Sequence, residues 1–149
     1  MLPVKISSFS FYSRLLPLIL VLTATVSFFS CAKNTPEQAN ETIPEGTVLA
    51  RGTFQTNSHT TSGMVSLVQD SSGKKKLVFQ NFKTDNGPDL RVWLSPNTGA
   101  SSYVEAGILK AVNGNFFYEM PSSFNHSTNN HVLIWCEDFS VLFGHAVLQ

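Results

Sequence analysis

Two cysteines and four histidines are the side chains of this sequence best suited to redox or metal chemistry. Cys136 ends the run HVLIWC (131–136), and Cys31 closes an apolar N-terminal stretch. With Cys31 bound to a lipid, Cys136 is the remaining thiol and has no partner for an internal disulfide. Such a thiol is either a small buried hydrophobe or a redox group, or a ligand to a metal or haem. Glu137 and Asp138 follow directly, and adjacent carboxylates disfavour a thiolate. Local chemistry alone therefore favours the buried reading. The histidines (His59, His126, His131 and His145) show no HxH, CxxC or HExxH spacing. On a regular strand His131 and Cys136 face opposite sides and lie about 16 Å apart. A tight hairpin at Glu137-Asp138 would set Cys136 against Phe139 and leave His145 at the far end. Only His59 and His126, carried on loops, could then reach Cys136. No metal set is expected, and the spacing does not support a haem or metal cofactor.

The segment Asp85-Asn86-Gly87-Pro88-Asp89 is rich in oxygen but lacks the bidentate Glu that a calcium loop requires. It reads better as a turn: Asn86-Gly87 supplies a positive-φ position and Pro88 fixes the entry to the next strand. Asp89 is expected to bond backbone amides there. No GxSxG, phosphate-binding loop or dinucleotide fingerprint is present. With no nucleophile–base arrangement to read, a redox or binding module is favoured over a turnover enzyme.

The elements that must carry these residues follow a two-residue period, and no sustained helical stripe occurs. Strands are expected at 46–54, 62–70, 76–82, 90–95, 105–111, 116–120, 131–136 and 139–148, divided by turn signals such as SSGK, PNTG and VNGN. In 90–95, Leu90, Val92 and Leu94 share one face, while Arg91 and Trp93 share the other. Eight short strands without intervening helices imply an all-β fold, a small sandwich or barrel, and speak against a βαβ architecture.

Upstream of the domain, Lys5 and Arg14 precede an uncharged apolar stretch, 15–29. That length suits a signal peptide better than a bilayer span of about 20 residues. Its end, Phe28-Phe29-Ser30-Cys31, resembles a bacterial lipobox. The expected layout is a signal peptide at 1–30, a lipidated Cys31 opening a flexible tether at 31–45, and a domain at 46–149 held outside the cytoplasm, in the cell envelope. The tether composition cannot build a core, and about fifteen flexible residues reach roughly 20 Å. Eight basic and ten acidic residues lie downstream of Cys31, a net charge of −2. That balance argues against a nucleic-acid partner.

Three segments resemble the DM-thirteen domain family: NFKTDNGPDLRVWLS (81–95), GILKAVNGNFFYEMP (107–121) and HVLIWCEDFSVLFGHAVL (131–148). Together they cover nearly all of 46–149 in the right order. The resemblance implies a β-rich domain proposed to take part in electron transfer, with Cys136 as the redox group, either as a bare thiol or by holding a prosthetic group. Trp135 and Phe139 would shape its surroundings. No companion domain is read in this chain, so donor and acceptor are expected to be separate proteins. The alternative is a non-catalytic sandwich that binds a partner or ligand, with Cys136 as core.

Overall fold

The structure, a computed structural model, describes residues 35–149; the leader and Cys31 lie outside them. Ten strands and no helix occur among the described residues. They are β1 (Ala39–Asn40), β2 (Thr47–Thr53), β3 (Gln55–Thr56), β4 (Thr61–Gln69), β5 (Lys75–Thr84), β6 (Leu90–Ser95), β7 (Val104–Ile108), β8 (Asn113–Met120), β9 (His131–Cys136) and β10 (Val141–Val147). One sheet runs β1-β8-β5-β4-β2 and the other β3-β10-β9-β6-β7. Their inner faces bury a common apolar core, so the fold is a β-sandwich rather than a closed barrel.

Alternation decides which residues enter that core. Leu90, Val92 and Leu94 of β6 meet Val132, Ile134 and Cys136 of β9 within it, as the two-residue period requires. The first sheet has three register shifts, and the one in β5 feeds the core. Phe79 and Phe82 are three residues apart, yet both are fully buried. The pairing register shifts between them, and Asn81 takes a left-handed backbone (φ 48°). This bulge returns the strand to the core face one residue late. Both rings then pack edge to face (centroids 5.3 Å) and join Phe54 and Phe116 in one cluster. Across the bulge, a Cβ on Gly63 (φ 106°) would lie 2.6 Å from the Asn81 carbonyl oxygen, so the partner strand must be glycine there.

The eight expected strands are all present, two of them (90–95 and 131–136) with the expected ends and six with shifted ones, and β1 and β3 are additional. Residues 35–41, inside the stretch expected to be a tether, are docked on the first sheet. Ala39 and Asn40 pair in parallel with Gly114 and Asn115, Thr35 is buried, and the Val112 amide donates to the Pro36 carbonyl (3.0 Å). Glu41 completes the attachment: its carboxylate accepts from Lys110 Nζ (2.8 and 3.1 Å) and from the Phe117 amide (3.1 Å).

Partial burial of Glu41 works to raise its pKa, but the Lys110 and Phe117 hydrogen bonds and the Lys110 charge outweigh it and hold the carboxyl below its ordinary value. A depressed folded pKa gives stability that is present above the unfolded pKa and lost as pH falls through the folded one. Measured against the intrinsic exchange rate at each pH, protection of the Glu41 amide, which donates to Asn115 O, should therefore fall as pH drops through the folded pKa of Glu41. In Glu41→Gln protection should already be reduced at neutral pH, by a loss under about 1 kcal/mol for so exposed a pair. Equal protection in both proteins across that range would show that Glu41 does not hold β1.

Candidate functional site

Strands of the second sheet carry Cys136 and Trp135, and the turns at their ends carry Gly87, Pro88, Asp89 and Phe139. Cys136 ends β9 with its side chain inward, directly opposite Leu90 of β6 and Val141 of β10. It is fully buried, and its S–H donates to the Pro88 carbonyl at 3.1 Å. One residue on, the Glu137 amide donates to the Asp89 carbonyl at 3.1 Å. The chain around Pro88 thus accepts the last two hydrogens that β9 offers. The core reading of Cys136 made from local chemistry agrees with this burial.

The turn before β6 forms for a different reason than its composition suggested. Gly87 does not have positive φ; Asp89 does, at 47°. Gly87 is needed for space, since a Cβ there would lie 2.9 Å from Phe143 Cζ and 3.2 Å from Leu90 Cδ2. The Asp89 carboxylate grips the guanidinium of Arg91 in a fork (2.6 and 3.0 Å). Glu105 Oε1 (2.8 Å) and Glu137 Oε2 (3.2 Å) hold the same guanidinium. Hydrogen bonds to Asp89 and then Glu105 push the Arg91 pKa well above its ordinary value. Arg91 therefore ties β6, β7 and the β9–β10 turn together as a permanent cation.

That turn has four residues, Glu137 to Ser140, rather than the two expected. Cys136 consequently faces Val141, not Phe139. Phe139 is 68% exposed at the tip of the turn and takes no part in the thiol's surroundings. Trp135 points away from Cys136, to the outer face of the sheet. There it stacks on Trp93 (5.1 Å, 20°), which stacks in turn on Tyr103 (3.8 Å, 8°). Trp93 is buried by its neighbours and its indole N–H has no hydrogen-bond partner. Tyr103 is 43% exposed. Sequence reasoning placed Trp93 on this outer face but had no signal for Tyr103, which comes from the β6–β7 loop.

Neither loop histidine is found at the thiol. His59 stacks on Phe143 (3.9 Å) and approaches Asp85 (3.3 Å). His126 lies in the loop that enters β9, at the opposite end of the strand from Cys136. Among the described residues no group of three or more His, Cys, Asp or Glu side chains is placed to hold a metal. No helix among them is long and apolar enough to cross a membrane. A cleft of about 300 Å³ opens between the sheet edges, lined by Arg51, Thr53, Met64 and Val147. It is formed by none of the residues singled out above and offers no reactive group beyond the Arg51 side chain.

The geometry defines a β-sandwich domain with a sealed thiol beneath an aromatic outer face. Residues 53–148 match the family described as Electron transfer DM13, and the chain belongs to that family. No curated protein and no solved structure shows a significant match.

Two measurements check this site. Alkylation at Cys136, followed by peptide mapping, should wait for unfolding, because the sulfur has no access to solvent. Fast labelling of native protein would mean that the strand end opens. Gly87→Ala should destabilise the fold by about 1–3 kcal/mol by overpacking against Phe143; an unchanged Tm would show that the aromatic ring yields freely.

Proposed function

We propose that this domain relays single electrons between separate protein partners, with Tyr103, Trp93 and Trp135 as its relay and Cys136 as the buried end of the path. The observation that carries this reading is the continuous stack Tyr103–Trp93–Trp135, which runs from an exposed phenol to the residue covalently joined to Cys136. Thiol–disulfide exchange needs direct attack by a thiolate on a disulfide sulfur, and a fully buried S–H held by a carbonyl does not suit it. Passing an electron through stacked rings needs no contact with the sulfur. The unpartnered Trp93 indole N–H suits such a relay, because with no base beside it the oxidised ring cannot readily lose its proton. Tyr103, open to water, can release one. Family membership supports an electron-transfer role as such.

The reading includes a membrane tether: a leader removed before Cys31, a lipid on that residue, and a domain outside the cytoplasm. The charges at Lys5 and Arg14, the apolar stretch and the Ser30-Cys31 junction support it. The attachment of residues 35–41 to the first sheet shortens the tether. Only three residues lie between Cys31 and Thr35, four chain steps with a reach of at most about 14 Å. Such a domain works close to the bilayer.

A second reading of Cys136 is favoured by its burial: the thiol fills the core and the relay ends at Trp135. Flash oxidation of the full-length protein by a photogenerated one-electron oxidant separates the two. In the wild type a tyrosyl signal should form at Tyr103 and equilibrate with tryptophan, and Trp93→Phe should break that exchange. Exchange that persists in Trp93→Phe would overturn the relay. Cys136→Ser should fold cooperatively, since a hydroxyl can also donate to Pro88. If Cys136 terminates the path, the serine variant prolongs the tryptophan radical; an unchanged lifetime assigns Cys136 to the core. Intact-mass analysis of membrane-extracted protein should show a diacylglyceryl Cys31 at the N-terminus, and a retained Met1 would refute the anchor.

A further inference from the structure

His131 and His145 were set aside at the sequence level because neither can reach Cys136. They reach each other. His145 of β10 lies directly opposite Leu133 of β9, and His131 is two residues before Leu133. The two histidines are therefore diagonal neighbours on the same, outer face of the second sheet. Their ring centroids are 6.2 Å apart and the planes differ by 20°.

Each ring is held through the same atom. His131 Nδ1 lies 2.8 Å from Asn130 Oδ1, and His145 Nδ1 lies 2.6 Å from Asn57 Oδ1. An amide oxygen can only accept, so in both rings Nδ1 carries the hydrogen and donates it. In a neutral imidazole the other nitrogen, Nε2, then has a free lone pair. A second-shell oxygen on Nδ1 with Nε2 open is the arrangement by which proteins orient histidine for a metal ion. Asn57 approaches from the β3 side of β10, because Gln55 of β3 is the register partner of His145. His131 stands on the other side of His145, on β9.

The geometry points to a two-imidazole site for a borderline divalent transition-metal ion between His131 and His145, with Asn130 and Asn57 as positioning residues. Metal–imidazole bonds are about 2 Å and each ring centre lies about 1.2 Å beyond its nitrogen, so two rings sharing one ion have centres from about 5 Å apart at a tetrahedral angle to about 6.4 Å when the ion lies in line between them. The observed 6.2 Å is close to that limit and sets a wide N–metal–N angle, with the remaining positions left to water or to a partner's ligand. Carboxylate-preferring hard ions find no oxygen ligand set here; imidazole pairs select the copper, nickel and zinc group, with Cu(II) held tightest. The site is distinct from Cys136, which ends the same strand on the opposite face.

Cu(II) alone serves as the probe, titrated into the purified full-length chain near pH 7 and followed by calorimetry and electron paramagnetic resonance. The expected result is one ion per chain with hyperfine coupling to two imidazole nitrogens. His131→Gln and His145→Gln should each weaken binding about a hundredfold, because either change breaks the chelate. Asn57→Ala should weaken it about tenfold by releasing the ring orientation. His59→Gln and His126→Gln should leave it unchanged, and the folding of every variant is checked by its Tm. Unchanged Cu(II) affinity in the double variant His131→Gln/His145→Gln, loss of binding in His59→Gln or His126→Gln, or a single-imidazole spectrum in the wild type would each overturn the site. None of these readouts depends on electron transfer, so failure of the relay and failure of the metal site are separately visible.

Discussion

Two carbonyl oxygens at the entry to β6 set the register on which the second sheet depends. Pro88 accepts the S–H of Cys136, and Asp89 accepts the amide of Glu137. Together they lock Leu90 opposite Cys136, and every pair from there to Ser95 and His131 follows. A slip of one residue would turn Val132, Ile134 and Cys136 outward and bring His131, Leu133 and Trp135 into the core. The left-handed backbone of Asp89 is a cost of this arrangement. The bidentate grip of its carboxylate on Arg91 offsets that cost and extends the lock to β7 and the β9–β10 turn. Gly87 belongs to the same constraint from the other side, by leaving room for Phe143.

With that register set, the two faces of the second sheet take on separate tasks. The inner face is core, and Cys136 is part of it. The outer face collects Trp135, Trp93 and Tyr103 at one end and His131 and His145 at the other, with Leu133 buried between them. The chemistry accessible from solvent therefore lies on the face opposite the thiol. The sulfur is thereby sealed in the core while the aromatic stack lies on the outer face of the sheet.

The two sheets are coupled at their edges as well as through the core. Tyr118 of β8 donates to the Ile108 carbonyl at the end of β7 and accepts from the Lys110 amide, and burial raises the pKa of this phenol. It joins a strand of the first sheet to the edge strand of the second. Lys110 lies over the rings of Phe117 and Tyr118 and also binds Glu41. The docked N-terminal segment is thus fastened to the same corner that ties the sheets together, so its attachment and the packing of that corner are linked.

The amino-acid sequence by itself determined the eight principal strands, the inward set on β6 and β9, the outward position of Trp93 and the family. All of these rest on local pattern: period two, turn residues, and motif spacing. It also made Cys136 a core candidate, through the adjoining carboxylates and the alternation of β9. Tertiary structure decided the rest. Two-residue strands such as β1 and β3 have no period to detect and exist only because an edge was available to pair with. Gly87 was read as a backbone requirement, whereas its reason is Phe143, more than fifty residues away. The stack of Tyr103 on Trp93 and the meeting of His131 with His145 depend on strand order and on a four-residue turn. The same hairpin reasoning that sent His145 away from Cys136 sends it toward His131. Which residues alternate is a property of the chain, but which of them meet is a property of register, and hydrogen bonds between distant segments fix register.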